Sequence, residues 1–523
     1  MSRLKVLLIT GILAKDSVEK YAKESRVKTE VLPLKIQVAA LLKIPNIKNE
    51  LKTHSIQGID LILVPGLVKG DTSIISKSIG IPTFKGPKYA ADLPLVLDSL
   101  GKIELSTVKP ACDLLKEELK QKAFQELELI EKNSQQLLKN PGNMAINELV
   151  FGKDFPMRVM AEIVDAPLLS SEEIQELAKR YVKHGASIID VGMIAGESRP
   201  LDAERAIKAV KDAVKVPVSI DTLDCLEVKQ AVSAGADLIL SVDAGNVEEL
   251  AAFASDIAMV AIPSNQREGY FPKDANERVI LLEQIIRKAR KIGIKQILAD
   301  LIVEPSAIFR SFIAFSRFAE RNPNVPLFVG TANFTELIDA DSVGVNALLA
   351  RISSEVGASI LLATEKSVKA KGTVEELATA SKMMFLAKRR GSVPKDLGID
   401  LLVLKDKRLR EAPYNHQYEK EVQVIQAASK LEPDVLDEKG IFKIALDEKN
   451  RAIVAMHFSD SQQSKPTIII KGKTAESIYS KIEEMGLIAR FDHAAYLGRE
   501  LEKAEIALLI GKEYVQDNPL FNL

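Results

Sequence analysis

The chain has 523 residues, of which 46% are apolar and 27% are charged, and its formal net charge at pH 7 is −1. This length predicts several domains, and the nearly neutral charge excludes a basic surface for nucleic acid or an anionic membrane. Because the chain has only two cysteines and no run of about 18 apolar residues, we expect a cytoplasmic protein with reduced thiols and no membrane span.

The first 110 residues alternate strand-like and helix-like segments. The strand-like runs are "KVLLIT", "KTEVLPL" and "GIDLILVPG", and "DSVEKYAKES" between the first two is helix-like. Apolar runs separated by helices indicate a parallel sheet, so residues 1–110 are predicted to form a small parallel α/β domain. Residues 111–154 are predicted to be a connecting helix and linker, because apolar residues recur at helical spacing from Leu115 to Ile130 and "KNPGN" ends that pattern.

Residues 155–404 carry eight strand-like runs, most of them separated by helical stretches. The runs are 158–164, 187–193, 217–222, 237–244, 259–264, 296–302, 326–332 and 359–365. Two helical stretches begin with the pattern of a capping box, Ser170 with Glu173 and Thr373 with Glu376. Eight strands alternating with helices over about 250 residues are typical of a (β/α)₈ TIM barrel. A doubly wound sheet is the alternative, but it rarely contains eight such units in succession.

Residues 405–523 are predicted to form a small α+β domain. Residues 405–422 are charged and aperiodic like a linker, two strands follow around the turn Asp447–Asn450, "TIIIKG" adds a third, and helices end the chain. The predicted fold class is therefore α/β, with a central TIM barrel flanked by an N-terminal α/β domain and a C-terminal α+β domain. His493 begins a predicted helix and is interpreted as structural, as lone histidines in that position usually are.

Polar residues stand where the predicted barrel strands end, the face that carries the active site in TIM barrels. They are Asp190, Asp221, Asp243, Asn246, Ser264, Asn265, Asp300, Glu304, Thr331, Asn333, Thr364 and Glu365. This mouth offers no obvious nucleophile, and no metal site is predicted because the residues show no metal-ligand spacing. Carboxylates accept hydrogen bonds and asparagine both donates and accepts, so the mouth suits a flat heterocycle such as a pterin.

Four stretches, "GASIIDVGMIAGESRP", "VPVSIDT", "AVSAGADLILSVDAGN" and "QILAD", resemble the pterin-binding barrels, the superfamily of dihydropteroate synthases and methyltetrahydropterin:corrinoid methyltransferases. The resemblance covers roughly residues 155–400, and the whole chain resembles the archaeal dihydropteroate-synthase-related proteins. The strand-end pattern places Asp190 in the mouth, and the resemblance implies that Asp221 and Asp300 bind the pterin edge there. It also implies that Arg199, with Ser198 in the same loop, faces the leaving diphosphate.

The chain departs from the synthases at three places. Leu240 and Ser241 replace the Asn–Asp pair after strand four, where Asp243 or Asn246 could substitute. The Ser-Arg-Lys after strand seven and the Arg-x-His on strand eight are missing, whereas "GTAN" resembles the methyltransferases' Gly-x-Ser-Asn and places Asn333 at the pterin ring. We expect a synthase-like transfer of a pterin-methyl group from its diphosphate to an arylamine, in making a folate- or methanopterin-type cofactor. Methyl transfer from a methyl-pterin to a corrinoid and non-catalytic pterin binding are the alternatives.

Three lysines after strand eight, Lys366, Lys369 and Lys371, stand near the missing basic pair. Barrels of this fold often bind phosphate at these loops, so the lysines predict a site for a phosphorylated arylamine, and a solvated loop is the alternative. The expected ligands are a pterin, a phosphorylated arylamine, and Mg²⁺ carried by the substrate diphosphate. No nucleic-acid or membrane partner is expected, and a homodimer is left open.

Overall fold

The computed structural model describes residues 4–406, 419, 422–427 and 436–521. It divides the chain into two compact units, Met1–Ser134 with Phe385–Ile425 and Gln135–Met384 with Gln426–Leu523. The predicted linker 405–422 lies almost entirely outside the described residues. Among the described helices, none combines the length and the apolar character that crossing a bilayer requires.

The first unit contains a four-stranded parallel sheet of order β2-β1-β3-β4. Its strands are β1 (Lys5–Thr10), β2 (Lys28–Pro33), β3 (Leu61–Val64) and β4 (Thr83–Lys85), and its helices are α1 (Lys15–Ala22), α2 (Ile44–Thr53), α3 (Ser73–Ile79), α4 (Leu93–Asp98) and α5 (Ala111–Lys132). Leu7 and Ile9 pack into one apolar cluster and Val6 and Leu8 into another, so both faces of β1 are covered. The N-terminal layer is therefore α/β, as predicted.

The second unit contains a closed barrel of eight parallel strands in the order β7 to β14. After α6 (Ser134–Leu137), β5 (Asn143–Ile146) and β6 (Leu149–Gly152), the strands are β7 (Arg158–Ile163), β8 (Ile188–Gly192), β9 (Val218–Asp221), β10 (Leu238–Val242), β11 (Ala258–Ala261), β12 (Ile297–Ala299), β13 (Leu327–Gly330) and β14 (Ala358–Thr364). The helices are α7 (Ser171–Lys183), α8 (Pro200–Ala213), α9 (Cys225–Ser233), α10 (Val247–Ala254), α11 (Ala275–Lys291), α12 (Ile308–Arg321), α13 (Ala332–Thr335), α14 (Ser342–Val356) and α15 (Thr373–Arg389), whose residues from Phe385 onward belong to the first unit. All eight strand predictions are confirmed, with ends shifted by a few residues.

A β-hairpin stands in front of the barrel, where the sequence predicted only a linker. Its strands β5 and β6 are antiparallel and turn at Asn147, whose φ is +52°. Ile146 and Phe151 join the apolar cluster formed by side chains of the barrel strands. Arg158, the first residue of β7, donates to the carbonyl of Val150. The hairpin therefore packs on the barrel core at the end where β7 begins, opposite the predicted mouth.

Only one of the two predicted capping boxes forms. Ser170 and Glu173 exchange hydrogen bonds at the start of α7, as predicted. The box of Thr373 with Glu376 was wrong, because the Glu376 carboxylate accepts from Ser342 Oγ at 2.9 Å and Asn346 Nδ2 at 2.7 Å. These donors belong to α14, so a tertiary contact outcompetes the local cap.

The C-terminal part of the second unit is a three-stranded antiparallel sheet with two helices. It comprises β15 (Ile441–Asp447), β16 (Ala452–Phe458), β17 (Ile468–Gly472), α16 (Ala475–Glu484) and α17 (Phe491–Ile510). His493 Nδ1 lies 2.9 Å from Asp437 Oδ2, and Asp437 also accepts from the backbone N–H groups of Ala489 and Arg490. The pair therefore fixes the start of α17, consistent with the structural interpretation of His493.

Candidate active site at the barrel mouth

Three carboxylates meet at the ends of adjacent strands. Glu162 on β7 lies beside Asp190 on β8, and Asp221 ends β9 beside Gly192. One oxygen of each carboxylate lies within 4.8 Å of those of the other two. Asp190 and Asp221 were predicted for this site, whereas Glu162 was not. The sequence contained a pattern that could have identified Glu162. It stands two residues after the core residue Met160 on the same strand, so its side chain also points to the barrel interior.

Asp190 is the most deeply buried member of this cluster, with 0% exposure. Its Oδ1 accepts from Ser219 Oγ at 2.5 Å, and its Oδ2 is one of the buried oxygens without a hydrogen-bond partner in the described part of the chain. Burial raises the pKa of Asp190 well above its usual value, and the negative charges of Asp221 and Glu162 raise it further. Its surroundings therefore disfavour ionisation of this carboxyl.

The same environment also raises the pKa values of the other two members, Glu162 and Asp221. Burial, followed by the charges of Asp221 and Asp165, raises the pKa of Glu162 to about 7. Burial also raises the pKa of Asp221, although Ser241 Oγ donates to its Oδ1 at 2.6 Å and opposes the shift. Ser241 adopts a φ of +59°, so it meets Asp221 from an unusual backbone conformation. A serine thus stands where the synthases have part of an Asn–Asp pair.

A fourth carboxylate, Asp300, follows β12. Its Oδ1 accepts from the N–H of Ile302 at 2.7 Å. Burial raises the pKa of Asp300 to about 7, with the bond from Ile302 opposing the shift and the charge of Asp221 adding to it. A Cβ placed on Gly330 would lie 4.0 Å from Asp300 Oδ2 and 3.6 Å from Asn333 Nδ2. Asp300 and Asn333 therefore approach the same point at the end of β13, as the sequence predicted.

Asp243 and Asn246 build the loop after β10. Asp243 Oδ1 accepts from the N–H groups of Gly245 and Asn246, and its Oδ2 accepts from Ser264 Oγ and from the N–H of Gln266. Asn246 accepts from the N–H of Asp243 and donates to the carbonyl of Ser241. Both are buried and bonded within the loop, so their role in pterin binding stays a prediction.

Arg199 lies in the loop after β8 and is tied to acidic neighbours. Its Nε donates to Glu197 at 2.6 Å, and Nη1 lies 3.7 Å from Asp202. Its backbone N–H donates to the buried carboxylate of Glu227, which holds the start of α8. Ser198 is exposed beside it and hydrogen-bonds Asp224. A diphosphate would therefore compete with two carboxylates for this guanidinium.

The three lysines predicted to bind phosphate have separate acidic partners. Lys366 Nζ lies 2.7 Å from Asp165, Lys369 Nζ lies 2.8 Å from Asp339, and Lys371 Nζ lies 3.0 Å from Glu448 in the turn between β15 and β16. The N–H of Val374, at the start of α15, donates to Glu365 Oε1. The structure does not bring the three ammonium groups together on one anion, and the phosphate site stays a prediction.

The mouth thus has a definite chemical preference. Four interacting carboxylates, two of them buried and two half-buried, cannot all be ionised without a counter-charge, so the site favours protons or hydrogen-bond donors from a ligand. Glu162, Asp190 and Asp221 also form an all-oxygen set of the kind that hard divalent cations accept. A ligand edge lined with N–H groups matches this arrangement best, because it satisfies several acceptors at once.

Family models match three stretches of the chain. Residues 164–335 match the model described as pterin binding enzyme, residues 436–517 match the model PterinBD-DUF4346, and residues 4–88 match a family of unknown function. An uncharacterized protein of Methanocaldococcus jannaschii is 41% identical over 536 residues, which cover 99% of this chain and 99% of that protein. A Ycf91-like protein of Nostoc is 36% identical over 106 residues, 16% of this chain and 84% of that protein.

Solved structures similar to this chain include two bacterial dihydropteroate synthases. The synthase from Stenotrophomonas maltophilia is 20% identical with a TM-score of 0.40, and the match covers 49% of this chain and 100% of that one. The Yersinia pestis synthase is 17% identical with a TM-score of 0.38, and the match covers 48% of this chain and 100% of that one.

Proposed function

Because the chain belongs to the archaeal dihydropteroate-synthase-related family of the pterin-binding superfamily, we propose that its barrel binds a reduced pterin and transfers the pterin-methyl group from a diphosphate to an arylamine. The observation that carries the proposal is the cluster of buried and half-buried carboxylates contributed by β7, β8, β9 and the end of β12. A pterin presents a ring N–H and an exocyclic amine along one edge, and these donors complement carboxylate acceptors.

Asp221 and Asp300 would hold that edge. Asp300 is oriented by the N–H of Ile302 and Asp221 by the hydroxyl of Ser241, so each carboxylate keeps one oxygen for the ligand. Asn333 would reach the ring from beside Gly330. A hydrogen bond to a charged partner in a site shielded from water contributes about 1.5–3 kcal/mol, so each aspartate should matter measurably for pterin affinity.

In the proposed transfer, the amine nitrogen attacks the methylene carbon, the bond to the diphosphate oxygen breaks, and the amine loses a proton. Diphosphate is a good leaving group once its charge is neutralised, so the protein mainly has to orient the two substrates. Arg199 is the residue proposed to face the diphosphate, with Mg²⁺ arriving on the substrate. The guanidinium would first have to leave Glu197 and Asp202, which hold it in the free protein.

One observation favours a second candidate, methyl transfer from a methyl-pterin to a corrinoid. Arg199 and the three lysines after β14 are each paired with a carboxylate, and Asn333 stands beside the pterin-binding aspartate Asp300. In methyl transfer the pterin nitrogen that loses the methyl group takes up a proton and leaves as a neutral amine, so an acidic mouth does not oppose it. The two candidates share the pterin site and differ in their second substrate.

Calorimetric titration with 7,8-dihydropterin tests the shared part. We expect Asp221→Asn and Asp300→Asn to weaken binding, and Asp256→Asn to leave it unchanged, because Asp256 is an exposed partner of Lys295 before β11. Equal affinities for all four proteins would refute the site. The synthase-like transfer is tested by mixing the protein with 6-hydroxymethyl-7,8-dihydropterin diphosphate, Mg²⁺ and 4-aminobenzoate and measuring diphosphate release. Methyl transfer is tested in parallel by mixing the protein with methyl-tetrahydropterin and cob(I)alamin and measuring methylation of the corrinoid.

A further inference from the structure

An arginine lies fully buried beside the loop that carries Asp300. Arg278 is on α11, and its side chain has 0% exposure. All three of its nitrogens donate hydrogen bonds: Nε to the carbonyl of Pro272 at 2.9 Å, Nη1 to the carbonyl of Ile302 at 3.2 Å and to Ser311 Oγ at 3.4 Å, and Nη2 to Glu304 Oε2 at 2.7 Å. A buried charge is costly to desolvate, and a well-packed apolar residue is often a more stable substitute. Core stability alone therefore gives a weak reason for an arginine here.

The residue that Arg278 holds has an unusual backbone. Ile302 adopts a φ of +63°, a left-handed conformation that is a true outlier for a β-branched residue. Such strain persists where the surroundings enforce it, and it is concentrated at functional sites. In this conformation Ile302 bridges two charged groups: its N–H donates to Asp300 Oδ1, and its carbonyl accepts from Arg278.

The guanidinium also ties this loop to the segment that precedes α11. It binds Ile302 in the loop after β12 and Glu304 just before α12, while Pro272 lies in the segment that leads into α11. Its carbon Cζ lies 4.4 Å from the ring centroid of Phe271, which fixes the plane of the guanidinium. A lysine could satisfy only part of this set, because its ammonium lacks the planar fork of donors.

We propose that Arg278 is a positioning residue for the pterin site: by holding the carbonyl of Ile302 and the carboxylate of Glu304, it keeps the β12–α12 loop in the strained conformation that aims Asp300 at the pterin edge. This inference rests on the proposed function, because it assigns Arg278 a role through Asp300. The arginine does not touch the ligand. It determines where the carboxylate stands and whether Asp300 keeps its bond from Ile302.

The charge of Arg278 adds a second effect on the same carboxylate. Burial raises the pKa of Asp300, and the charge of Asp221 on β9 adds to this, whereas the Ile302 N–H and the charge of Arg278 on α11 oppose it. Loss of Arg278 removes the opposing effect of its charge on the pKa of Asp300. It also frees the loop and so weakens the opposing hydrogen bond from the Ile302 N–H. Binding that requires ionised Asp300 should then begin at a higher pH than in the parent protein.

The chain offers a matched control for this arginine. Arg158 also donates to a backbone carbonyl, that of Val150, and its Cζ lies 5.3 Å from the ring centroid of Phe155. It sits at the hairpin end of the barrel, away from the pterin site. Arg158→Gln should therefore lower thermal stability without altering pterin affinity, which separates positioning from general damage to the fold.

The test is titration of the full chain with 7,8-dihydropterin from about pH 6 to 8.5, using Arg278→Gln, Arg278→Lys, Arg158→Gln and Asp300→Asn. We expect Arg278→Gln to weaken binding roughly ten- to a hundredfold, as small misplacements of binding groups do, and to move the pH midpoint of binding upward. Arg278→Lys should fall between Arg278→Gln and the parent. Adding Ile302→Gly to Arg278→Lys should restore affinity, because glycine adopts positive φ without strain.

The outcomes separate the two proposals. A parent protein that binds no pterin refutes the proposed function, and the positioning role falls with it. A parent that binds and loses affinity in Asp300→Asn, but keeps it in Arg278→Gln, refutes only the positioning role. Equal loss in Arg278→Gln and Arg158→Gln, with no change in pH midpoint, would also refute it. If Arg278→Gln does not fold, the Arg278→Lys pair with and without Ile302→Gly decides the question.

Discussion

The carboxylate cluster should lower the stability of the ligand-free protein at alkaline pH, and Glu162→Gln should restore part of this stability. Burial and the neighbouring charges raise the pKa of Glu162 from 4.5 to about 7. A tenfold change in proton affinity corresponds to about 1.4 kcal/mol, so this displacement amounts to about 3 kcal/mol as an upper value. When the pKa of an acid is higher in the folded than in the unfolded protein, its ionisation destabilises the fold. This destabilisation is absent below the unfolded-state pKa and grows until the pH exceeds the folded-state pKa. It should therefore accumulate between pH 4.5 and about 7.

The assay is thermal or urea unfolding of the parent and Glu162→Gln at pH 5 and pH 8. We expect similar midpoints at pH 5 and a higher midpoint for the variant at pH 8. The measured gain should be below the upper value, because Asp190 and Asp221 share protons with Glu162 and redistribute them. If the domains unfold separately, the unfolding transition of the barrel must be followed by itself. If Glu162→Gln is less stable than the parent at pH 8, repulsion within this cluster does not destabilise the fold and the reasoning is refuted.

Three further predictions concern particular side chains. A Cβ on Gly192 would overlap Glu162 Oε1, so Gly192→Ala should displace this carboxylate and weaken dihydropterin binding in calorimetry, and unchanged binding would argue against a role for Glu162. Asp243→Ala leaves the donors of its loop unpaired and should destabilise the barrel by about 2–4 kcal/mol in urea unfolding, whereas a loss under about 0.5 kcal/mol, the size of a typical surface substitution, would contradict the bonding scheme. Burial raises the pKa of Asp437, but the Lys439 N–H, His493 and two further N–H groups hold it well below its usual range. Its contribution is thus present at neutral pH and lost on acidification, so Asp437→Asn should lower the neutral stability and flatten its acid dependence.

The barrel could be predicted because its signal is repeated and local. Eight buried strands each need a continuous apolar run, and the helices between them need only a 3.6-residue period. The hairpin of β5 and β6 was missed because two four-residue strands give too short a pattern, and only packing of Ile146 and Phe151 on the barrel core makes them stable. Short elements whose stability comes from tertiary contacts cannot be read from their own residues.

Site residues at the strand ends could likewise be predicted, but not their partners. Asp221 and Asp300 are fixed in place by the strands that precede them. The partner of Lys366 is 201 positions away in sequence, and that of Lys371 lies in the turn between β15 and β16. Glu162 was overlooked because it lies inside an apolar run rather than after it. Distant pairings depend on which surfaces the fold brings together, and a single sequence does not reveal them.

The charge balance of the mouth restricts what the protein can bind. The pKa values of its carboxylates are raised by burial and mutual repulsion, while the cations described around it, Arg199 and the lysines of the β14 loop, are already paired. A neutral, donor-rich edge gains hydrogen bonds here without bringing an opposing charge, whereas a diphosphate must displace Glu197 and Asp202 from Arg199 or bring its own cation. Pterin recognition and anion handling therefore depend on different groups. A variant that loses one should keep the other, which gives the two substrates of the proposed transfer independent tests.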